Sequence, residues 1–210
     1  MTKPWEHRHG RSTAVRQFER HLIVCEDSKS SADYLKSFKV PESVAEITVV
    51  GGAGNTQSVV RKGIELQNKA TTRRAPYARV WCVIDKDDHP DRRYHEAFHL
   101  ANHRSRPEFA VIWANECFEL WYLLHFVYRD TAIGRAALAT ELGKPDRLGK
   151  PYRKGDASIF PILAPLRETA IRNSQKLLDI GAHRDHPHMH NPSTNLHELI
   201  KMLIVLHAAA

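Results

Sequence analysis

Along this 210-residue chain, apolar positions come either in short unbroken runs or in longer stretches spaced every three or four residues. The unbroken runs at 21–25, 45–50, 80–84 and 109–113 are mostly β-branched, aromatic or otherwise apolar, as in strands buried on both faces. Between them, Tyr34, Leu35 and Phe38, then Val59, Val60 and Ile64, fall on single helical faces, and 92–103 reads as a polar helix. Strand and helix therefore alternate, which predicts an α/β fold with a mostly parallel sheet and right-handed crossovers. Ser28, Ser30 or Ser31 is expected to cap the first helix, and Pro41 to end it.

Beyond residue 115 the pattern turns helical. Residues 115–126 are apolar almost all round, predicting a buried helix. Further helices are expected over 131–142, closed by Gly143, and over 165–180, stopped by Gly181. A last helix begins near Asn195, which has capping-box spacing with Glu198 and precedes a stripe of Leu196, Leu199, Ile200 and Leu203. The predicted organisation is a basic leader over 1–20, an α/β core over 21–130, and a helical extension over 131–210 packed on that core.

The strands change the chemical picture at their carboxyl ends. The first is followed by Glu26, and the run at 80–84 by Asp85, Asp87 and Asp88. In open α/β sheets, ligands bind in the crevice outside these ends. If the backbone stays extended, Asp85 and Asp87 share one face and can converge on Mg²⁺ or Mn²⁺. A polar strand-to-loop cap is the competing reading, since short Asp clusters are common in turns. Within the apolar 115–126 segment, Glu119 is costly unless paired, so it is either a structural ion pair or a further site carboxylate. His125, six residues later, lies on a different face and reads as a hydrogen-bonded core or rim histidine.

Composition narrows the partners. A formal charge of +7 favours polyanions, and basic residues gather at Arg61–Lys62, Arg73–Arg74, Arg92–Arg93, around Arg104 and Arg106, and over 147–154. No apolar stretch approaches membrane-spanning length, and the polar, basic start of the chain carries no secretory signal, so a cytoplasmic setting is expected. Cys25, Cys82 and Cys117 lack paired spacing and read as reduced core residues. The glycine-rich loop 51–54 lacks the Gly-Lys-Ser/Thr ending of a P-loop, which favours a structural turn over a phosphate cradle. Four histidines between His183 and His190 invite a zinc hypothesis, but no spacing fixes them on one element, and a surface loop is favoured.

Several of these pieces together resemble the RloB family. They are the segment 23–26 ending in Glu26, the segment 83–89 carrying Asp85, Asp87, Asp88 and His89, Asn115 with the 118–126 helix, the 152–156 loop, and 191–194. Asp27 departs from the Gly usual after the Glu, and Glu116 from a frequent Pro; the first would narrow the approach to a metal or add a carboxylate beside it. The resemblance implies a Toprim-like domain that accompanies an ATPase in bacterial antiphage defence. It further implies Mg²⁺ or Mn²⁺ on Asp85 and Asp87, with Glu26 as ligand or proton carrier and Asp88 as an auxiliary ligand. Glu119, Lys154 and Arg153 are additional candidates, the basic pair for charge on a scissile phosphate. The expected activity is metal-dependent cleavage of DNA or RNA, including tRNA, under control of the partner ATPase. A non-catalytic binding or sensor subunit of an ATPase complex is the alternative, and nucleotidyl transfer a weaker third.

Overall fold

The computed structural model describes residues 18–104, 107–180 and 186–208; most of the basic leader, Arg106, Gly181 and His183 lie outside them. Four parallel strands, β1 (Glu19–Cys25), β2 (Ala45–Val50), β3 (Arg79–Asp85) and β4 (Glu108–Asn115), carry most of the sheet. A two-residue strand, β5 (Ser193–Thr194), pairs antiparallel with the end of β4, giving the order β2-β1-β3-β4-β5. The apolar runs are continuous because both faces are covered. Ile23, Cys25, Trp81, Val83 and Ile112 point into one cluster, and Leu22, Val24, Val80, Cys82 and Ile84 into the other.

Helices α2 (Thr56–Thr72) and α3 (Asp91–Asn102) cover the second face. The first is covered by α1 (Ser31–Lys36), α4 (Glu119–Leu124), α5 (Arg135–Leu142), α6 (Ile159–Leu163), α7 (Arg167–Leu178) and α8 (Leu196–Ala208). The chain leaves β1 for β2 on one side and, after returning through α2, builds β3 and β4 on the other. The strand order thus reverses between β1 and β3, where a crevice opens at the carboxyl ends. Glu26 and Asp85 stand on its two sides.

Several expected elements are shifted for local reasons. The segment 115–126 is not one helix: β4 runs through Asn115 and α4 begins only at Glu119. The end of that strand is paired with β5, Asn115 opposite Ser193, and the Asn115 amide donates to the carbonyls of Pro187 and His188 at 3.1 and 3.2 Å. The helix expected from 131 starts at Arg135, after Gly134. The helix expected over 165–180 is α7, two residues shorter at each end and preceded by the short α6 and a 3₁₀ turn at Ala164–Leu166. Ser30 stands at the N-cap of α1 but its side chain makes no capping bond; Asp27 holds the turn before the helix, its Oδ1 accepting from the Lys29 and Ser30 N–H groups at 2.6 and 2.7 Å.

Asn195 precedes α8 and stays in contact with Glu198, its Nδ2 donating to Glu198 Oε2 at 3.3 Å and its carbonyl accepting from the Glu198 N–H at 3.0 Å, but its side chain also reaches the sheet. Its Oδ1 accepts from the Trp113 N–H at 2.9 Å and its Nδ2 donates to the Val111 carbonyl at 3.1 Å, so the side chain continues the sheet beside β4. The C-terminal portion is therefore not purely helical, since β5 and Asn195 extend the sheet itself. All three cysteines are free and buried. In the glycine-rich loop, a Cβ on Gly51 would lie 2.7 Å from the Ala32 Cβ and 2.8 Å from the Ser28 Cα. That close approach lays the loop against the β1–α1 turn, consistent with a structural turn.

Candidate metal centre

Burial and charge meet at the carboxyl end of β3. Asp85 is the last residue of the strand and only 8% exposed. Among the described residues its carboxylate has no hydrogen-bond or ion-pair partner. Burial drives its pKa well above the usual carboxylate range, and the charges of Asp87, Glu119 and Glu26 add to the effect. Asp85 lines a cleft of about 450 Å³ together with Cys117, Glu119, Arg135, Tyr152 and Lys154.

Asp87 reaches the site by a different geometry from the one expected. The strand ends at Asp85, and Asp87 sits in left-handed backbone at φ 42°, so the shared face of an extended chain does not apply. Its N–H donates to the Glu116 carbonyl at 2.9 Å. The side chain forms an ion pair with Arg135 at the start of α5, and the paired Arg135 titrates above its ordinary value, chiefly through that bond. The same turn carries His89, whose Nε2 lies 2.9 Å from Glu26 Oε1.

Glu26 leaves β1 and turns across the crevice, its Oε2 accepting from the Asp85 N–H at 3.3 Å. Burial raises its pKa, opposed by the bonds to His89 and to the Asp85 N–H. One ligand atom each from Glu26, Asp87 and His89 fall within 4.8 Å of one another, a spacing compatible with a single ion. A buried, unpartnered carboxylate next to this cluster fits a cation as well. The remaining candidates separate clearly. Asp88 is exposed and outside the cluster.

Glu119 is 6% exposed and is held by hydroxyls, not by a basic residue: Tyr152 Oη donates at 2.6 Å and Ser30 Oγ at 2.7 Å. Burial works against its charged form, but the hydrogen bonds from Tyr152, Ser30 and Cys117 outweigh it and hold the carboxyl below its usual range. Lys154 lines the cleft with its Nζ 3.7 Å from Asp27 Oδ2, whereas Arg153 is exposed and is not part of the cleft wall. Asp27 lies beside the site, its Oδ1 taken by the Lys29 and Ser30 N–H groups and its Oδ2 facing Lys154 and the Ser31 hydroxyl. In the histidine-rich segment, the His188 ring contacts His95 at 4.3 Å between centroids, and among the described residues these histidines form no metal-type cluster.

Arg135 and the roles of His89 and Tyr152 are not legible in the sequence, although His89 and Tyr152 lie in segments singled out there. His89 carries a faint signal, two residues beyond Asp87 and followed by Pro90. Arg135 carries none, being far along the chain at the start of a helix that was expected to begin earlier.

A family model described as RloB-like protein matches residues 21–203, most of the chain. No curated protein and no solved structure matches it.

Proposed function

The chain belongs to the RloB-like family, and from that membership and the chemistry of the cleft we propose that it is a Toprim-type, divalent-metal-dependent phosphodiesterase acting on nucleic acid. The single observation that carries this reading is Asp85: a carboxylate buried to 8% exposure, without a partner among the described residues, beside Glu26, Asp87 and Glu119. Asp87, Glu26 and Glu119 have partners in Arg135, His89 and two hydroxyls, whereas Asp85 is left to be neutralised by a proton or by a cation. Glu26, Asp85 and Asp87 are the residues to hold it; bound there, Mg²⁺ or Mn²⁺ neutralises phosphate charge and activates water.

The chain's own residues supply the rest. Arg135 and Lys154 stand on the cleft wall, each paired with a carboxylate, and offer positive charge to a phosphodiester. Tyr152 and Ser30 fix Glu119 in one orientation and keep it ionised. The charge of +7 brings a polyanion to the surface. In this reading the protein serves antiphage defence and its cleavage is gated by a partner ATPase.

The test is incubation of the purified chain with Mg²⁺ or Mn²⁺ and a pool of plasmid, single-stranded DNA, total RNA and tRNA, beside Asp85→Ala, with and without the neighbouring ATPase. Metal-dependent loss of one pool member, absent in the variant, supports the proposal and identifies the substrate. If defence in cells persists after joint alanine replacement of Glu26, Asp85 and Asp87, the protein is instead a binding subunit.

A further inference from the structure

The turn that follows β3 is built to present two side chains to Glu26. The Lys86 Nζ donates to the His89 carbonyl at 2.8 Å and lies 3.2 Å from Asp91 Oδ1, while the His89 N–H donates back to the Lys86 carbonyl at 3.1 Å. This clamp closes residues 86–89 into a compact loop, and the left-handed conformation of Asp87 sets the directions of the side chains. Asp88 faces solvent, whereas Asp87 and His89 turn towards Glu26. The His89 imidazole is largely covered, with 24% of its side chain exposed, and its Nε2 is aimed at the Glu26 carboxylate.

From this arrangement we infer that His89 is a direct metal ligand through Nε2, so that the centre has a mixed nitrogen and oxygen donor set and favours a first-row transition ion over Mg²⁺. The inference rests on the cation-binding reading above and adds to it the identity of one ligand and the class of metal. Glu26, Asp87 and His89 are the group whose donor atoms lie mutually within 4.8 Å; Asp85 and Glu119 sit deeper, on the cleft side. A purely carboxylate site suits Mg²⁺, which takes oxygen ligands and keeps much of its water. An imidazole nitrogen shifts the balance, because borderline metals gain from it and Mg²⁺ gains little. His89 Nε2 and Glu26 Oε1 lie 2.9 Å apart. Ligation through Nε2 would require the tautomer with its hydrogen on Nδ1, which leaves the Nε2 lone pair free.

The experiment uses the full chain and Mn²⁺ as probe. Affinities for Mn²⁺ are read from the free-ion electron paramagnetic resonance signal and those for Mg²⁺ by competition, for the natural sequence, His89→Ala, Glu26→Gln and Asp87→Asn. Pulsed measurements on bound Mn²⁺ report whether a nitrogen is coordinated. The expected result is a nitrogen coupling in the natural protein that disappears in His89→Ala, with Mn²⁺ affinity reduced about tenfold or more and Mg²⁺ affinity changed far less. A bound Mn²⁺ without nitrogen coupling, or a His89→Ala protein with unchanged Mn²⁺ to Mg²⁺ preference, overturns the inference while leaving the cation site standing. If the natural protein binds no ion, or Glu26→Gln and Asp87→Asn bind as it does, the cation reading fails too. The coupling is measured on the natural chain, so the answer does not depend on whether any variant folds.

Discussion

Acidification should unfold this protein partly through one core histidine. His125 is 1% exposed, its Nδ1 donating to the Trp121 carbonyl at 2.9 Å and its ring edge-on to Trp121 at 5.1 Å. Burial lowers its pKa to about 4, and the nearby Arg167 charge works in the same direction against the hydrogen bonds to the Trp121 and Tyr122 backbone. The unfolded chain binds the proton near pH 6.5 and the folded chain only near 4, so stability falls as pH drops through that window. Each pH step in it costs about 1.4 kcal/mol, and the whole window about 3 kcal/mol. Urea unfolding, followed by tryptophan fluorescence at pH 7, 6, 5 and 4, should therefore be compared between the natural chain and His125→Gln. The variant loses packing at every pH, but the gap between the two proteins should narrow by about 3 kcal/mol on going from pH 7 to 4. A gap constant to within about 0.5 kcal/mol, a typical error of such differences, would refute the placement of a neutral imidazole in the core.

Three further outcomes follow from single contacts. Asn195→Ala leaves the buried Trp113 N–H and Val111 carbonyl without their side-chain partner and should cost about 2–4 kcal/mol in denaturant titration. Gly51→Ala forces a methyl against fixed atoms of Ala32 and Ser28 and should cost about 1–3 kcal/mol, seen as a lower Tm. In a chelator at neutral pH, Asp85→Asn should be the more stable protein by about 1 kcal/mol, or roughly 3 °C in Tm, because it removes a carboxyl whose ionised form burial and its acidic neighbours disfavour in the folded chain. With Mn²⁺ added, the natural chain should gain thermal stability and the variant should gain less.

The sheet was legible because its strands are buried on both faces, so apolar runs such as 80–84 announce themselves without periodicity. Their polar ends were legible for the same reason: Asp85 interrupts a run that burial would otherwise extend. The long amphipathic helix α2 was readable as well, whereas α4 was not, because an apolar segment entering the core reads alike as strand, turn or helix. β5 is two residues long and carries no pattern. At the site, chain order hid what folding assembled: Ser30, Glu119 and Tyr152 meet in one hydrogen-bonded triangle although Tyr152 lies 122 residues from Ser30. Asp87 escapes the alternation of an extended chain because it lies two residues past the end of the strand, in left-handed backbone.

The side chain of Asn195 has a consequence for how this protein can meet others. Exposed strand margins are templates on which a second chain can add its own strand, productively in complexes and harmfully in aggregates. Beside β4 that template is used internally, by β5 near the strand's end and by one amide bonded to Trp113 and Val111 further back. Among the described residues, the opposite margin, β2, on the far side of β1 from the carboxylate crevice, is the edge left for a foreign strand to extend. A subunit recruited by strand addition would join there, leaving the carboxylate cleft uncovered.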